Sequence, residues 1–275
     1  MKQIETLVFD YGGVIVNIDD ASVVKAMESL GVTAFKRLIH VRKIKRLMHQ
    51  YINGLVAEAE TLKEMLSLCR KGTSTEDIEK VLEELCGNLP VERLEALVKL
   101  RKRYKVYLLS NINDTLWQKS VSLMKQLGYS TDELFDEVFL SYAMRKEKPS
   151  IEIYEEMTRQ TGLNPATTLY FDDRAENAEA GKRFGFQSVL VKTNHLEEHQ
   201  EWQEINKNIK EYSYAHNRKL TLVALRRSRS CHRLFHRKSG SCMYHHRHSL
   251  GKTAFQDGRT FARAIRQGCG VGILK

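Results

Sequence analysis

Five short apolar runs, rich in β-branched and aromatic residues, constrain this chain more than any other feature. They are Leu7–Asp10, Val106–Ser110, Val138–Ser141, Thr168–Asp172 and Ser188–Val191. Runs of four or five such residues with no polar alternation read as strands buried on both faces, the habit of a parallel sheet. Helical patterns at Thr115–Leu127, Ile151–Thr161 and Ala175–Phe184 separate the last four runs. That β-α-β-α alternation predicts a doubly wound α/β fold.

The interval between the first two runs is too long for one crossover helix. It carries apolar residues at three- and four-residue spacing over Ala21–Leu30, Ala34–Ile52, Ala57–Arg70, Thr75–Cys86 and Val91–Arg103, with Thr75 and Pro90 as helix-start signals. The pattern predicts an inserted helical bundle over residues 19–103. The α/β core then comprises residues 1–18 and 104–200, with a C-terminal helix of the core over 201–216.

Charge divides the chain at the same end. The overall balance is +10, yet residues 217–275 hold 14 of the 44 Lys and Arg and a single acid, Asp257. The first 216 residues therefore carry 30 basic side chains against 33 acids, a net charge of −3. A basic surface for nucleic acid is thus confined to the tail, where Arg and Lys without acids would bind phosphates regardless of sequence. Cys231, Cys242, His232, His236, His245 and His248 form only a loose version of a zinc-ligand pattern. The abrupt shift to Arg, His, Ser and Cys reads as a disordered or non-native extension. Five irregularly spaced cysteines, no apolar run near membrane-spanning length and an N-terminus that leads straight into a strand point to a cytoplasmic protein.

Ligands of open α/β sheets bind beyond the carboxyl ends of the strands. Polar residues closing three of the runs are Asp10, Ser110 and the pair Asp172–Asp173. Converging carboxylates repel unless a cation lies between them, and hard oxygen donors suit Mg2+. Phosphoryl transfer needs an in-line nucleophile, donors to the phosphate and charge neutralisation. Asp10 can attack, Ser110 can donate, Lys148 can supply positive charge, and Asp173 with the backbone carbonyl of Gly12 can hold the metal. Gly12 and Gly13 suit a tight turn that brings the backbone close to metal and phosphate. The basic run Arg42–Arg46 reads as a solvated helix face, and Trp117 as a packing residue.

Phe9-Asp10-Tyr11-Gly12-Gly13-Val14, Leu108-Leu109-Ser110-Asn111, Lys148-Pro149 and Phe171-Asp172-Asp173 with Asn177 occur in that order. Over residues 1–200 the chain resembles the haloacid dehalogenase superfamily, in the subgroup with a type-one helical cap and closest to sugar-phosphate-like phosphatases. The resemblance implies an aspartyl-phosphate on Asp10, a metal site at Asp10, Gly12 and Asp173, and phosphate contacts from Ser110, Asn111 and Lys148. Asp172 and Asn177 act in support. It also implies a mobile cap that selects a small phosphorylated metabolite and shuts out water. Family phosphatases usually place an acid two residues after the nucleophile, where this chain has Gly12, as some members of the subgroup do. Asp19 and Asp20 are the nearest substitutes in sequence. The alternatives are a carbon–halogen hydrolase using the same Asp10 without metal, or a catalytically silent protein that binds a phosphorylated ligand.

Overall fold

The computed structural model describes residues 3–54, 56–85 and 87–211. The basic tail and its Cys and His clusters lie outside them. Strands β1 (Thr6–Phe9), β2 (Lys105–Ser110), β3 (Glu137–Leu140), β4 (Thr168–Asp172) and β5 (Gln187–Leu190) form one parallel sheet in the order β3-β2-β1-β4-β5. β1 sits in the centre and is buried along its whole length, as its unbroken apolar sequence requires. The doubly wound α/β expectation holds.

Five helices lie between β1 and the segment that returns to the core. They are α1 (Asp20–Ser29), α2 (Ala34–Ile39), α3 (Val41–Asn53), α4 (Glu58–Leu66) and α5 (Thr75–Glu83). The expected single helix over Ala34–Ile52 is two, because His40 at φ −103°, ψ 22° ends α2 before α3 starts. Apolar periodicity continues across such a break, so it does not register in the sequence. α5 begins with a capping box: Ser74 accepts from the Asp77 N–H and the Asp77 carboxylate accepts from the Ser74 N–H.

The sixth helix, α6 (Val91–Leu100), packs against β2 and the short α8 (Thr131–Leu134) rather than within the bundle. After β2 come α7 (Asp114–Gln126), α8, β3, the one-turn α9 (Ser141–Met144), α10 (Ile151–Thr161), β4, α11 (Ala175–Phe184) and β5. Residues 200–211 are also helical.

Both sheet faces are covered. On one, Phe9 stacks on Phe171 with ring centroids 5.0 Å apart, and Trp202 meets both rings edge-on. On the other, Tyr154, Phe184 and Phe186 from α10, α11 and the following turn gather around Tyr170. Offset and edge-on aromatic contacts of this kind add about 0.5–1.5 kcal/mol each beyond the area they bury. Trp117 packs edge-on against Tyr11 and is buried, as expected of a packing residue.

Polar contacts fasten the crossing points between bundle and core. Asn17, on the way out, pairs with Asn88, on the way back, through backbone and side chain. The buried Arg93 guanidinium donates to the carboxylate of Glu197, to the carbonyls of Ile15 and Asn194 and to the Asn17 side chain. A buried guanidinium with so many acceptors carries no unpaired donors into the interior. Further out, Glu58 of α4 accepts from Asn113 and Thr115, and Lys119 of α7 pairs with Glu83. Among the described residues, no helix is long and apolar enough to cross a membrane.

Candidate active site

Parallel pairing of β1 with β2 and with β4 brings the carboxyl ends of these strands side by side. Asp10 follows β1, Ser110 closes β2, and Asp172 closes β4 with Asp173 next to it. Lys148 arrives from the segment before α10. All of the strand-end residues except Asp172, together with Gly12, Asn111, Lys148 and Asn177, line one cavity of about 460 Å3. The predicted residues are thus brought together.

Lys148 is the hub. Its ammonium reaches Asp10 Oδ1 at 2.8 Å, Asp172 Oδ2 at 2.7 Å and the carbonyl of Leu109 at 2.8 Å. Three donors meet three acceptors around a side chain with no solvent exposure. Burial pulls its pKa down, but attraction to Asp10 and Asp172 outweighs that and leaves it above the ordinary lysine value. Asn111 fixes the backbone of this residue: its carbonyl accepts from the Lys148 N–H and its amide donates to the Lys148 C=O, both at 2.9 Å. The contacts therefore make Asn111 a positioning residue for Lys148.

The three aspartates have distinct surroundings. Asp172 is fully buried and accepts from Lys148, the Tyr170 hydroxyl, the Arg174 N–H and the Asn177 amide. It has little capacity left for a ligand. Its Oδ1 accepts the Arg174 N–H at 2.9 Å in the turn that leads into α11. Asp173 is partly exposed, and its Oδ2 accepts from the Thr193 hydroxyl at 2.8 Å. Burial raises its pKa, with Thr193 opposing.

Asp10 Oδ1 accepts from Lys148 and from the Tyr11 N–H at 2.7 Å. Its Oδ2 has no donor among the described residues. Burial pushes the Asp10 carboxyl up to about 7, against the pull of Lys148. A buried acid with one free oxygen is poised to ionise once a cation approaches.

One oxygen from each of Asp10, Asp172 and Asp173 lies within 4.8 Å of the others. Three carboxylates beside one ammonium leave an excess of two negative charges when all are ionised. Hard oxygen donors with that excess fit a divalent cation such as Mg2+. Asp10 and Asp173 have the free capacity to ligate.

Gly12 and Gly13 differ. Gly13 has φ +74°, and a Cβ on it would fall 2.3 Å from Asp173 Oδ2, so only glycine fits. A Cβ on Gly12 would meet nothing nearer than Ile18 Cγ2 at 3.4 Å, an ordinary contact. The absence of an acid at position 12 is not imposed by space. Of the two substitutes, Asp19 accepts from the Ser22 N–H and hydroxyl as the cap of α1, while Asp20 lines the cavity.

Sequence reasoning missed Thr193, Arg174 and Asn53, which also line the cavity. Thr193 lies just beyond β5, and a search of every strand end, including those without a carboxylate, would have reached it. Asn53 and Arg174 leave no comparable signal, because a helix end and a turn are brought there by packing alone.

Known proteins agree with this geometry. The family description "haloacid dehalogenase-like hydrolase" matches residues 4–185. A D-ribitol-5-phosphate phosphatase of Bacteroides thetaiotaomicron is 29% identical over 187 residues, covering 67% of this chain and 90% of that protein. A HAD family enzyme of Bacteroides thetaiotaomicron superposes with a TM-score of 0.64 at 27% identity, covering 70% of this chain and 96% of its own. That enzyme has also been solved with magnesium and with magnesium plus inorganic phosphate. A HAD-like family hydrolase of Porphyromonas gingivalis superposes with a TM-score of 0.62 at 26% identity, covering 70% of this chain and 93% of that one. With four motif segments in order, strand ends converging as those motifs require and a match over most of the described residues, the chain belongs to the haloacid dehalogenase-like hydrolase family.

Proposed function

We propose that this protein is a Mg2+-dependent phosphatase that hydrolyses a small phosphorylated metabolite through an aspartyl-phosphate on Asp10. The observation that carries this reading is the asymmetry of Asp10, whose Oδ1 is held by Lys148 and Tyr11 while Oδ2 is left without a donor among the described residues, in a carboxylate with one oxygen within 4.8 Å of one from Asp173. The phosphatase activity of one relative and the magnesium and phosphate complexes of a structural neighbour support it.

In the first step Asp10 Oδ2 forms a bond to phosphorus as the bond to the leaving oxygen breaks. Ser110 donates to a phosphate oxygen, and the Lys148 ammonium, whose three donors are held by Asp10, Asp172 and the Leu109 carbonyl, supplies positive charge beside the phosphate. In the second step water attacks phosphorus as the bond to Oδ2 breaks, Asp10 is released as carboxylate and the water's protons leave with the phosphate. Asp10, the Gly12 carbonyl and Asp173 would hold Mg2+, which supplies charge neutralisation to the phosphate. Asp172 and Asn177 keep Lys148 in place. Asp20, which lines the cavity, would protonate the departing oxygen.

The core comprises residues 1–18 and 104–200 with the helix beyond it. The cap comprises residues 19–103, and its last helix, α6, packs on β2 where the chain returns past the Asn17–Asn88 pair. A reducing cytoplasmic setting suits the free Cys69. A carbon–halogen hydrolase would give no use to Asp173.

A panel of phosphomonoesters assayed with Mg2+ and with EDTA tests the reading. Turnover that requires the metal is expected. Hydrolysis of a haloacid, unaffected by EDTA, would replace it with the dehalogenase reading, and phosphate-ester binding without turnover with the silent one.

A further inference from the structure

The lining of the catalytic cavity is mixed: beside Asp10, Ser110, Lys148 and Asp173 it includes apolar Ile18, Ile52, Leu85 and Leu116. A second cavity, of about 490 Å3, lies among α1, α3 and α4, and its walls include Val23, Met27, Leu47, Met48, Met65 and Leu68. Asp20 and Leu85 line both cavities. The two spaces therefore adjoin, and each is of a size that holds small molecules.

We propose that the second cavity receives the hydrocarbon tail of the substrate, so that the natural substrate is a phosphomonoester with an apolar organic part. This rests on the phosphatase reading of the site. The polar groups on the second cavity are few. Arg37 is engaged by Glu28 at 2.7 Å and by the carbonyl of Val32 at 3.1 Å. Asp20 and Lys45 are exposed and stay hydrated at its edges. A polyol placed among the remaining walls would give up water without gaining partners for its hydroxyls, at a cost of about 1–3 kcal/mol for each one left unsatisfied. An alkyl or isoprenoid chain loses nothing of the kind. The methionines at 27, 48 and 65 are unbranched and polarizable, and re-pack around ligands of differing shape. The phosphate would lie on Asp10 and the tail would pass between Asp20 and Leu85 into the bundle.

The test is kcat/KM with Mg2+ for n-alkyl phosphates from ethyl to octyl, with p-nitrophenyl phosphate as a reference ester. Each buried methylene adds about 0.8 kcal/mol, or about fourfold, as an upper bound. A rise of about two- to fourfold per methylene is expected. In Val24→Trp, whose exposed position lets the indole lie across the cavity mouth without disturbing the core, the octyl-to-ethyl ratio should fall by at least about tenfold, as loss of several methylenes implies. Met27→Lys should do the same, and Val24→Trp stands in for it if that variant does not fold. A flat chain-length series with p-nitrophenyl phosphate turned over would overturn the tail cavity and leave the phosphatase reading intact. If no ester is turned over, that reading fails, and calorimetric Kd values for octyl and ethyl phosphate decide the cavity alone. Equal values, or an octyl preference that survives in Val24→Trp, would overturn it.

Discussion

Lys148 and Lys45 illustrate two ways in which this chain treats a cation near a cavity. Lys148 is sealed, with Asp10, Asp172 and the Leu109 carbonyl on its three donors and Asn111 gripping its backbone. Lys45 stays exposed on the edge of a space walled chiefly by apolar side chains. The floor is over-determined and admits one arrangement, whereas the bundle is held by adaptable contacts that can change with little penalty. The proposed chemistry thus falls where geometry cannot vary, and the proposed tail cavity where it can.

The sharpest way to break this contrast is Lys148→Met. It leaves Asp10 and Asp172 buried without their cation, so stability should fall by about 3–5 kcal/mol in denaturant titration, with loss of turnover. A loss below about 1 kcal/mol would show that the floor is not held as described.

Removal of metal comes next. EDTA should eliminate activity and Mg2+ restore it, and Asp173→Ala should raise the Mg2+ requirement by about tenfold or more. In metal-free protein the Asp10 carboxyl is raised to about 7, so between roughly pH 4 and 7 the folded state holds a proton that the unfolded chain has released. Stability should therefore fall as pH rises through that window, and bound Mg2+, which favours the carboxylate, should remove the slope. Thermal melts at several pH values with and without Mg2+ read both effects.

A smaller effect concerns the leaving group. Asp20→Asn should steepen the fall of kcat/KM with leaving-group pKa, costing about 10²-fold on poor leaving groups, and Asp19→Asn, which loses only a helix cap, should not. Gly12→Asp, at a position with room for a side chain, should flatten the dependence. An unchanged slope in both Asp20→Asn and Gly12→Asp would assign the proton to solvent or to the substrate itself.

The smallest change is expected in the bundle. Met65→Leu should alter stability by less than about 1.5 kcal/mol while shifting the preferred tail length, because a volume-conserving swap perturbs packing little.

Much of the floor was legible because strand ends are written locally: an apolar run followed by Asp, Ser or Asp-Asp names both the strand and the residue beyond it. The same rule placed Asp10, Ser110 and Asp173 within a few residues. The division of labour among the aspartates was only partly legible, since the saturation of Asp172 depends on Tyr170, Lys148 and Asn177 arriving from separate elements. The break at His40 and the packing of α6 were hidden for a related reason. Apolar spacing shows that a face is buried but not against what. The second cavity was the least legible, because it arises from the relative placement of three helices whose sequences each read as ordinary amphipathic patterns.

The covalent role proposed for Asp10 is tested directly by acid-quenching the protein during turnover of a 32P-labelled phosphomonoester with Mg2+ and measuring label bound to denatured protein. The account predicts hydroxylamine-labile label on the wild-type chain and none on Asp10→Asn. Label retained by a correctly folded Asp10→Asn protein, or near wild-type turnover by it, would contradict the assignment of Asp10 as nucleophile.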